Sequence, residues 1–218
     1  DKKFNLTGLY TMPGYNAFDY PPEYLDLLVN AENYPLEIAD IFLGDLIKDT
    51  RGTFMSNFRL RGKTNQLSMN GNIQVHNMAT TVRYLGTRYY IPSYNSRLTN
   101  NLIDLEGLVL LDERGNTAIV SGGLLHNKFN HLNADIEISS DNFLLLKTNE
   151  KDNPNYYGTA SGKFNGRFKG PLNQLNIDID ATTGTGTEFF MPVASSKEID
   201  ALNLIEYKNR FDIAVQMD

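Results

Sequence analysis

At 218 residues, with a formal net charge of −6 and no cysteine, the chain argues against several classes of protein at the outset. A nucleic-acid surface needs clustered Lys and Arg to displace condensed counterions, and an acidic chain does not supply them. Without cysteine there is neither a disulfide framework nor a thiolate metal site, and no apolar run approaches the roughly 20 residues that span a bilayer as a helix. The chain begins at Asp1 with no visible signal peptide, so it reads as a mature or excised piece of something longer.

In chain order, "KFNLTGLY" at 3–10 alternates Phe4, Leu6, Gly8 and Tyr10 with polar neighbours, a period of two. Residues 36–48, "LEIADIFLGDLIK", break that rhythm: Ile38, Ile41, Phe42 and Leu46 share a helical stripe after Pro35, which suits a first turn. One short helix is predicted there, with Gly44 weakening it by about 1 kcal/mol relative to alanine. Alternation then returns. "LSMNGNIQV" sets Leu67, Met69, Gly71, Ile73 and Val75 on one side, and "LNADIEIS" does so with Leu132, Ala134, Ile136 and Ile138. "LNIDIDA" opposes Leu175, Ile177, Ile179 and Ala181 to Asn176, Asp178 and Asp180. Strands with one apolar and one wet face favour antiparallel sheet, and "ERGN" at 113–116, "KDNPN" at 151–155 and "GPLN" at 170–173 supply turns between them. The fold class expected is all-β.

Two phrases recur. "RLRGKTNQL" at 59–67 returns as "RFKGPLNQL" at 167–175, and "GTRYYIP" at 86–92 returns as "GTEFFMP" at 186–192. Both pairs keep their order, with offsets of 108 and 100 residues. The segments 59–92 and 167–192 therefore read as copies of one unit, a strand, a Gly-centred turn and a second strand, which gains by stacking beside its neighbour in one continuous β domain over 1–218.

No constellation in the chain announces catalysis. His126 and His131 stand five apart and His76 is distant, with no third ligand at metal spacing, so strand-end histidines are the ordinary reading. Asp178 and Asp180 fall on the polar side of an alternating strand, where carboxylates are simply solvated. "NEKDNPN" at 149–155 offers oxygens for calcium but reads more simply as a polar hairpin loop. "TTGTGTE" at 182–188 is glycine-rich yet lacks Lys and a following helix, both of which a phosphate loop needs. Tyr89–Tyr90 and Phe189–Phe190 suit cross-strand packing, while Tyr84, Tyr89, Tyr90 and Tyr94 could form a platform for sugars. The apolar faces leave two readings open, a ligand-holding groove or the inside of a sealed sandwich or barrel.

The run "DERGNTAIVSGGLLHNKFNHLNADIEISSDNFLLL" at 112–146, followed by "NYYGTASGKFNGRFKGPLNQLNIDIDATTGTGTEFFMPV" at 155–193, resembles the C-terminal conserved domain of TamB-type translocation and assembly proteins. The order Asp-x-x-Gly-Asn, a Gly-x-Leu-x-His turn, a "DNF" strand, "YYGTA" and a "KGP" turn carries the resemblance, and "NYPLEIADIFLGDLIKDTRGTF" at 33–54 resembles the lead-in to such repeats. The resemblance implies an elongated sheet curled into an open U-shaped groove (a β-taco) in a periplasmic protein anchored to the inner membrane, with a TamA-like outer-membrane barrel as partner. It implies a non-enzymatic role without cofactor: shielding phospholipid acyl chains for inner-to-outer membrane transport and outer-membrane protein assembly. Leu67, Met69, Ile73, Val75, Leu132, Ile136, Ile138, Leu175, Ile177 and Ile179 would line that groove. A second reading is a chaperone that pairs its strand edge with nascent outer-membrane strands and carries no lipid.

Overall fold

The computed structural model describes residues 2–14, 19–127, 130–192 and 212–216. Asp1 and Val193, and the side chain of Phe42, lie outside the described residues. The alternating segments become strands of one sheet: β1 (Lys3–Tyr10), β2 (Tyr24–Pro35), β3 (Ile47–Lys63), β4 (Gln66–Val82) and β5 (Thr87–Leu98). They continue as β6 (Leu102–Asp104), β7 (Leu108–Leu111), β8 (Thr117–Asn127), β9 (Asn130–Thr148), β10 (Tyr157–Pro171), β11 (Asn176–Thr183) and β12 (Glu188–Phe190), with β13 (Asp212–Gln216) after them. Neighbours in sequence are neighbours in space. The sheet is an antiparallel meander from β1 to β11, with β13 added parallel to β11. The all-β, mostly antiparallel class expected from period-two alternation is the class observed.

Two strands are broken. β6 and β7 both pair with β5 on one side and β8 on the other, so together they form one interrupted strand. β11 and β12 likewise both pair with β10. The interruption between them is the glycine-rich run: the Gly184 amide donates to the Ser161 carbonyl at 2.7 Å and the Thr187 hydroxyl donates to the same oxygen at 3.0 Å. A strand follows it, so it cradles no anion at a helix start.

The helix is shorter than predicted. A 3-10 turn over Leu36–Ile38 leads into α1 (Ala39–Leu43), and Gly44 is its C-cap. Ile47 and Lys48, placed in the helix by periodicity, instead pair with Val82 and Thr81 at the start of β3. Ladder bonds to β4 outweigh one further turn of a helix already weakened by glycine. Of the predicted stripe, Ile41 is 78% and Ile38 38% exposed, while the buried residue of this segment is Leu36. Asp40 ties α1 down, accepting from the Thr50 amide at 3.1 Å and from the Thr50 hydroxyl, which also meets the Thr80 hydroxyl at 2.8 Å. Thr50 is fully buried. Thr50→Val should cost about 1–3 kcal/mol by leaving Asp40 short of a donor, measurable as a lower urea midpoint at unchanged slope.

The recurring phrases occupy comparable and different places. Gly62 and Gly170 have φ of 134° and 113° and sit near the ends of β3 and β10, each before a hairpin. Gly86 opens a strand that reverses onto β4, whereas Gly186 precedes β12, which runs on beside β10.

Candidate functional site: a continuous apolar face

Residues directly opposite one another on neighbouring strands project from the same face, so the register alone decides which side chains meet. One row can be followed from β1 to β10: Leu6, Val29, Phe58, Gly71, Leu98, Ile103, Leu124, Ala134 and Gly170 are successive partners. The sequence-predicted residues join this face. Leu67, Met69, Ile73 and Val75 occupy alternate positions of β4 in phase with Gly71. Leu132, Ile136 and Ile138 are in phase with Ala134 on β9. Ile136 pairs with Phe168 and Phe168 with Ile177, while Ile138 pairs with Gly166 and Gly166 with Ile179. Leu175 lies immediately before β11 and in phase with it. Met69 is buried and the other nine are half-buried.

Phe58, Leu98, Val120 and Phe168 belong to the same face without having been predicted to line it, and Ala134, set on the apolar side by alternation, joins them. Phe58 and Phe168 stand in alternation with arginines and lysines, "NFRLRGK" and "RFKGP", so their apolar side was legible from spacing. Val120 lies in "TAIVSGGLL", where apolar residues stand side by side and alternation does not mark a face.

Exposure along the face is uneven. Phe4, Leu6 and Tyr10 on β1 are 56, 54 and 49% exposed, because β1 is an edge and none of the described residues covers it. Leu98, Val120 and Ala134 are 0, 2 and 3% exposed.

Between the two ends the sheet folds onto itself. β5 and β9 are separated in the sheet by β6/β7 and β8, a spacing of roughly 14 Å if flat. Yet the Tyr89 and Phe143 rings stack with centroids 5.1 Å apart and 16° between planes, and Phe164 lies 6.0 Å from Phe143. The contact forms beyond the turn at 112–116, where β7 and β8 stop and both flanking strands run past. There the Lys147 amide donates to the Leu85 carbonyl at 2.8 Å. The Tyr89 hydroxyl donates to the Leu144 carbonyl at 3.1 Å and the Thr87 hydroxyl to the Leu145 carbonyl at 3.3 Å. Burial pushes the Tyr89 hydroxyl well above its ordinary pKa, so it remains a donor. Ala118 completes the cluster, and Ile138 and Ala181 pack against it.

Asp112 holds the turn in place. Its buried carboxylate accepts from the amides of Arg114 at 2.8 Å, Asn116 at 2.9 Å and Leu144 at 2.9 Å, and from the Asn116 side chain at 2.9 Å. This is the Asp-x-x-Gly-Asn motif with its physical reason: one carboxylate closes the β7–β8 turn and ties it to β9. By contrast the Gly-x-Leu-x-His segment, expected as a turn, lies inside β8, with Gly122 at φ 86° where a Cβ would stand 2.1 Å from the Asp135 carbonyl.

The opposite face is wet. Arg59 grips Asp26 through two 2.6 Å bonds, and Arg167 pairs with Glu137, Lys169 with Asp135 and Lys163 with Asp141. The Arg59 hydrogen bond, opposed by burial and aided by the charges of Arg59 and Arg61, holds Asp26 below the usual carboxylate range. A recess of about 920 Å³, lined by polar and apolar groups alike, opens near Ser139, Asn165 and Asp180. Asp178 and Asp180 are exposed, as solvated carboxylates should be.

The three histidines do not converge. His126 is buried in β8, where desolvation lowers its pKa against the pull of a backbone bond to Thr99, whereas His131 is exposed and His76 half-buried. Among the described residues no group of three or more His, Cys, Asp or Glu could hold a metal ion. The loop at 149–155 satisfies itself: the Asn149 side chain accepts from the Lys151 amide at 2.9 Å and that of Asn153 from the Asn155 amide at 3.0 Å. The tyrosines form no platform, since Tyr89 is inside the cluster and the Tyr94 hydroxyl is turned onto the Glu106 carbonyl at 3.0 Å. Phe190 does make the expected cross-strand pair, stacking on Tyr157 at 5.2 Å. No helix among the described residues is long and apolar enough to cross a membrane.

The described strands thus form an antiparallel meander with one continuous apolar face and one charged face. Residues 106–210 match the family model of the TamB C-terminal domain, which supports a TamB-type C-terminal domain over that part of the chain. No curated protein matches the chain, and no solved structure does.

Proposed function

We propose that the chain is a non-enzymatic periplasmic module of a TamB-like envelope protein, which shields phospholipid acyl chains against its apolar face between the inner and outer membranes. In this reading the chain is one continuous unit of a longer protein anchored in the inner membrane. Its outer-membrane partner is a TamA-like barrel, and outer-membrane protein assembly depends on the same surface. The observation that carries the reading is the unbroken apolar row from Leu6 to Ala134, continued by Ile136–Phe168–Ile177 to β11. Each methylene removed from water contributes about 0.8 kcal/mol, so an acyl chain can be held without any headgroup site. The exposed Phe4, Leu6 and Tyr10 supply the open end at which such a chain is received.

One observation favours a second reading, in which the module pairs with nascent outer-membrane strands and carries no lipid: β1 is an edge strand, hydrogen-bonded on one side only among the described residues. Native mass spectrometry of the chain purified from a Gram-negative envelope fraction separates the two. The expected result is co-purifying phospholipid, lost in the Ile136→Asp, Ile177→Asp double variant while circular dichroism keeps its β signature. A lipid-free folded chain that retains strand peptides would instead establish the second reading.

A further inference from the structure

The wet face carries a pattern that lipid shielding does not use. One position along from the apolar row, Asn5, Asn30, Asn57, Asn72 and Arg97 are successive partners on β1 to β5. Each alternates with a residue of the apolar face, as Asn57 does with Phe58 and Arg97 with Leu98, so the five side chains project together from the opposite side. Asparagine is depleted in strands, because its side chain competes for backbone bonds and packs poorly on a pleated surface. Four of them in one register across four strands are therefore costly as filler. They do not offset that cost by bonding to one another. Among the described residues none of the four side-chain amides has a hydrogen-bond partner, and Arg97 has no ion pair. Gln74 and Asn95, directly opposite each other two residues along, extend the amides into a second row.

The row presents paired donors and acceptors at the interval between strands, roughly 4.8 Å, over a length of roughly 19 Å. It is uncharged up to Arg97, and the charges flanking it are already matched: Lys3 pairs with Glu32 at 3.2 Å and Arg59 with Asp26 at 2.6 Å. A chain of net charge −6 repels a polyanion, and a row without carboxylates gives a polycation nothing to pair with. The complementary partner is a neutral polymer with hydroxyl and amide groups at the same interval. A β-1,4-linked N-acetylhexosamine glycan is such a polymer. Extended, it repeats at nearly the strand spacing, and each acetamido group presents the same donor and acceptor as asparagine. We infer that the row Asn5–Asn30–Asn57–Asn72 is a binding track for a glycan of this class, with Arg97 placed to meet a carboxylate where the glycan carries one. The track lies on the face away from the acyl chains, so it stands or falls apart from the lipid reading.

Heteronuclear NMR of the folded chain reads the side-chain amides directly. Titration with tetra-N-acetylchitotetraose should shift the amide signals of Asn30, Asn57 and Asn72 and leave those of Asn149 and Asn153, in the self-satisfied loop, in place. Maltotetraose, α-linked and without acetamido groups, should shift none of them. An Asn57→Thr, Asn72→Thr double variant, whose new residues suit a strand better, should keep or raise the urea midpoint while weakening chitotetraose binding about tenfold. Arg97→Gln should leave that binding unchanged and weaken binding of a tetrasaccharide that contains N-acetylmuramic acid. Absence of shifts with chitotetraose, equal shifts with maltotetraose, or a double variant that binds as tightly as the parent would each overturn the track.

Discussion

Phe143→Ala is expected to lower the unfolding free energy by about 3–5 kcal/mol, the largest effect of any single apolar truncation among the described residues. Phe143 is 2% exposed, stacks on Tyr89 and touches Phe164, so its ring is shared by β5, β9 and β10. Removing it leaves a cavity walled by strands that cannot collapse toward one another. Their spacing is fixed by ladders on either side, so the cavity cost adds to the lost transfer energy. In thermal unfolding the loss should appear as a fall of roughly 10 °C for a chain of this size. Ile41→Ala is the matching control: that side chain is exposed, and a change within about 0.5 kcal/mol is expected. Equal effects at 143 and 41 would show that the ring cluster contributes nothing special to stability.

The cluster also marks the limit of what is legible in the sequence. Alternation in "LNIDIDA" or "LNADIEIS" states which side of a strand is apolar, because the period of a strand is two and local. It therefore places Ile136, Ile177 and their companions on one face correctly. It cannot state that Tyr89 meets Phe143. That contact joins strands not adjacent in the sheet, and it depends on where β7 and β8 stop. The stop is set by Asp112, one carboxylate in a turn that composition alone makes ordinary. The helix is overextended by local pattern for a related reason. Residues 44–48 satisfy a helical period over a few positions, but Val82 and Thr81, far along the chain, offer ladder partners that local pattern does not register. The aromatic phrase at 86–92 reads as packing, and it packs, but Tyr89 does so onto β9 rather than onto a neighbouring strand. The order of motifs carries the likeness to the TamB C-terminal domain over 106–210 where no single motif would, since each short phrase is a common strand or turn.

Asp112→Ala is expected to cost about 2–4 kcal/mol at neutral pH, with a signature in acid that separates it from an ordinary core lesion. Burial by itself would raise the pKa of this carboxyl. The Asn116 side chain and the amides of Leu144, Asn116 and Arg114 donate to it strongly enough to reverse that and hold it below the ordinary aspartate value. With the folded pKa below the unfolded one, the carboxylate stabilises the fold fully above the unfolded value near pH 4. That contribution disappears as pH falls through the folded value. Urea unfolding of parent and variant across pH 7 to 3 should therefore show the gap between them constant down to about pH 4 and narrowing below it. Asp26, held low by Arg59, titrates in the same window but is common to both proteins and cancels in the difference. A gap that stays constant into strong acid would mean that Asp112 stabilises the turn by its shape and not by its charge. The turn would then owe its closure to Gly115, at φ 82°, and to the Asp112–Asn116 backbone bond at 2.9 Å.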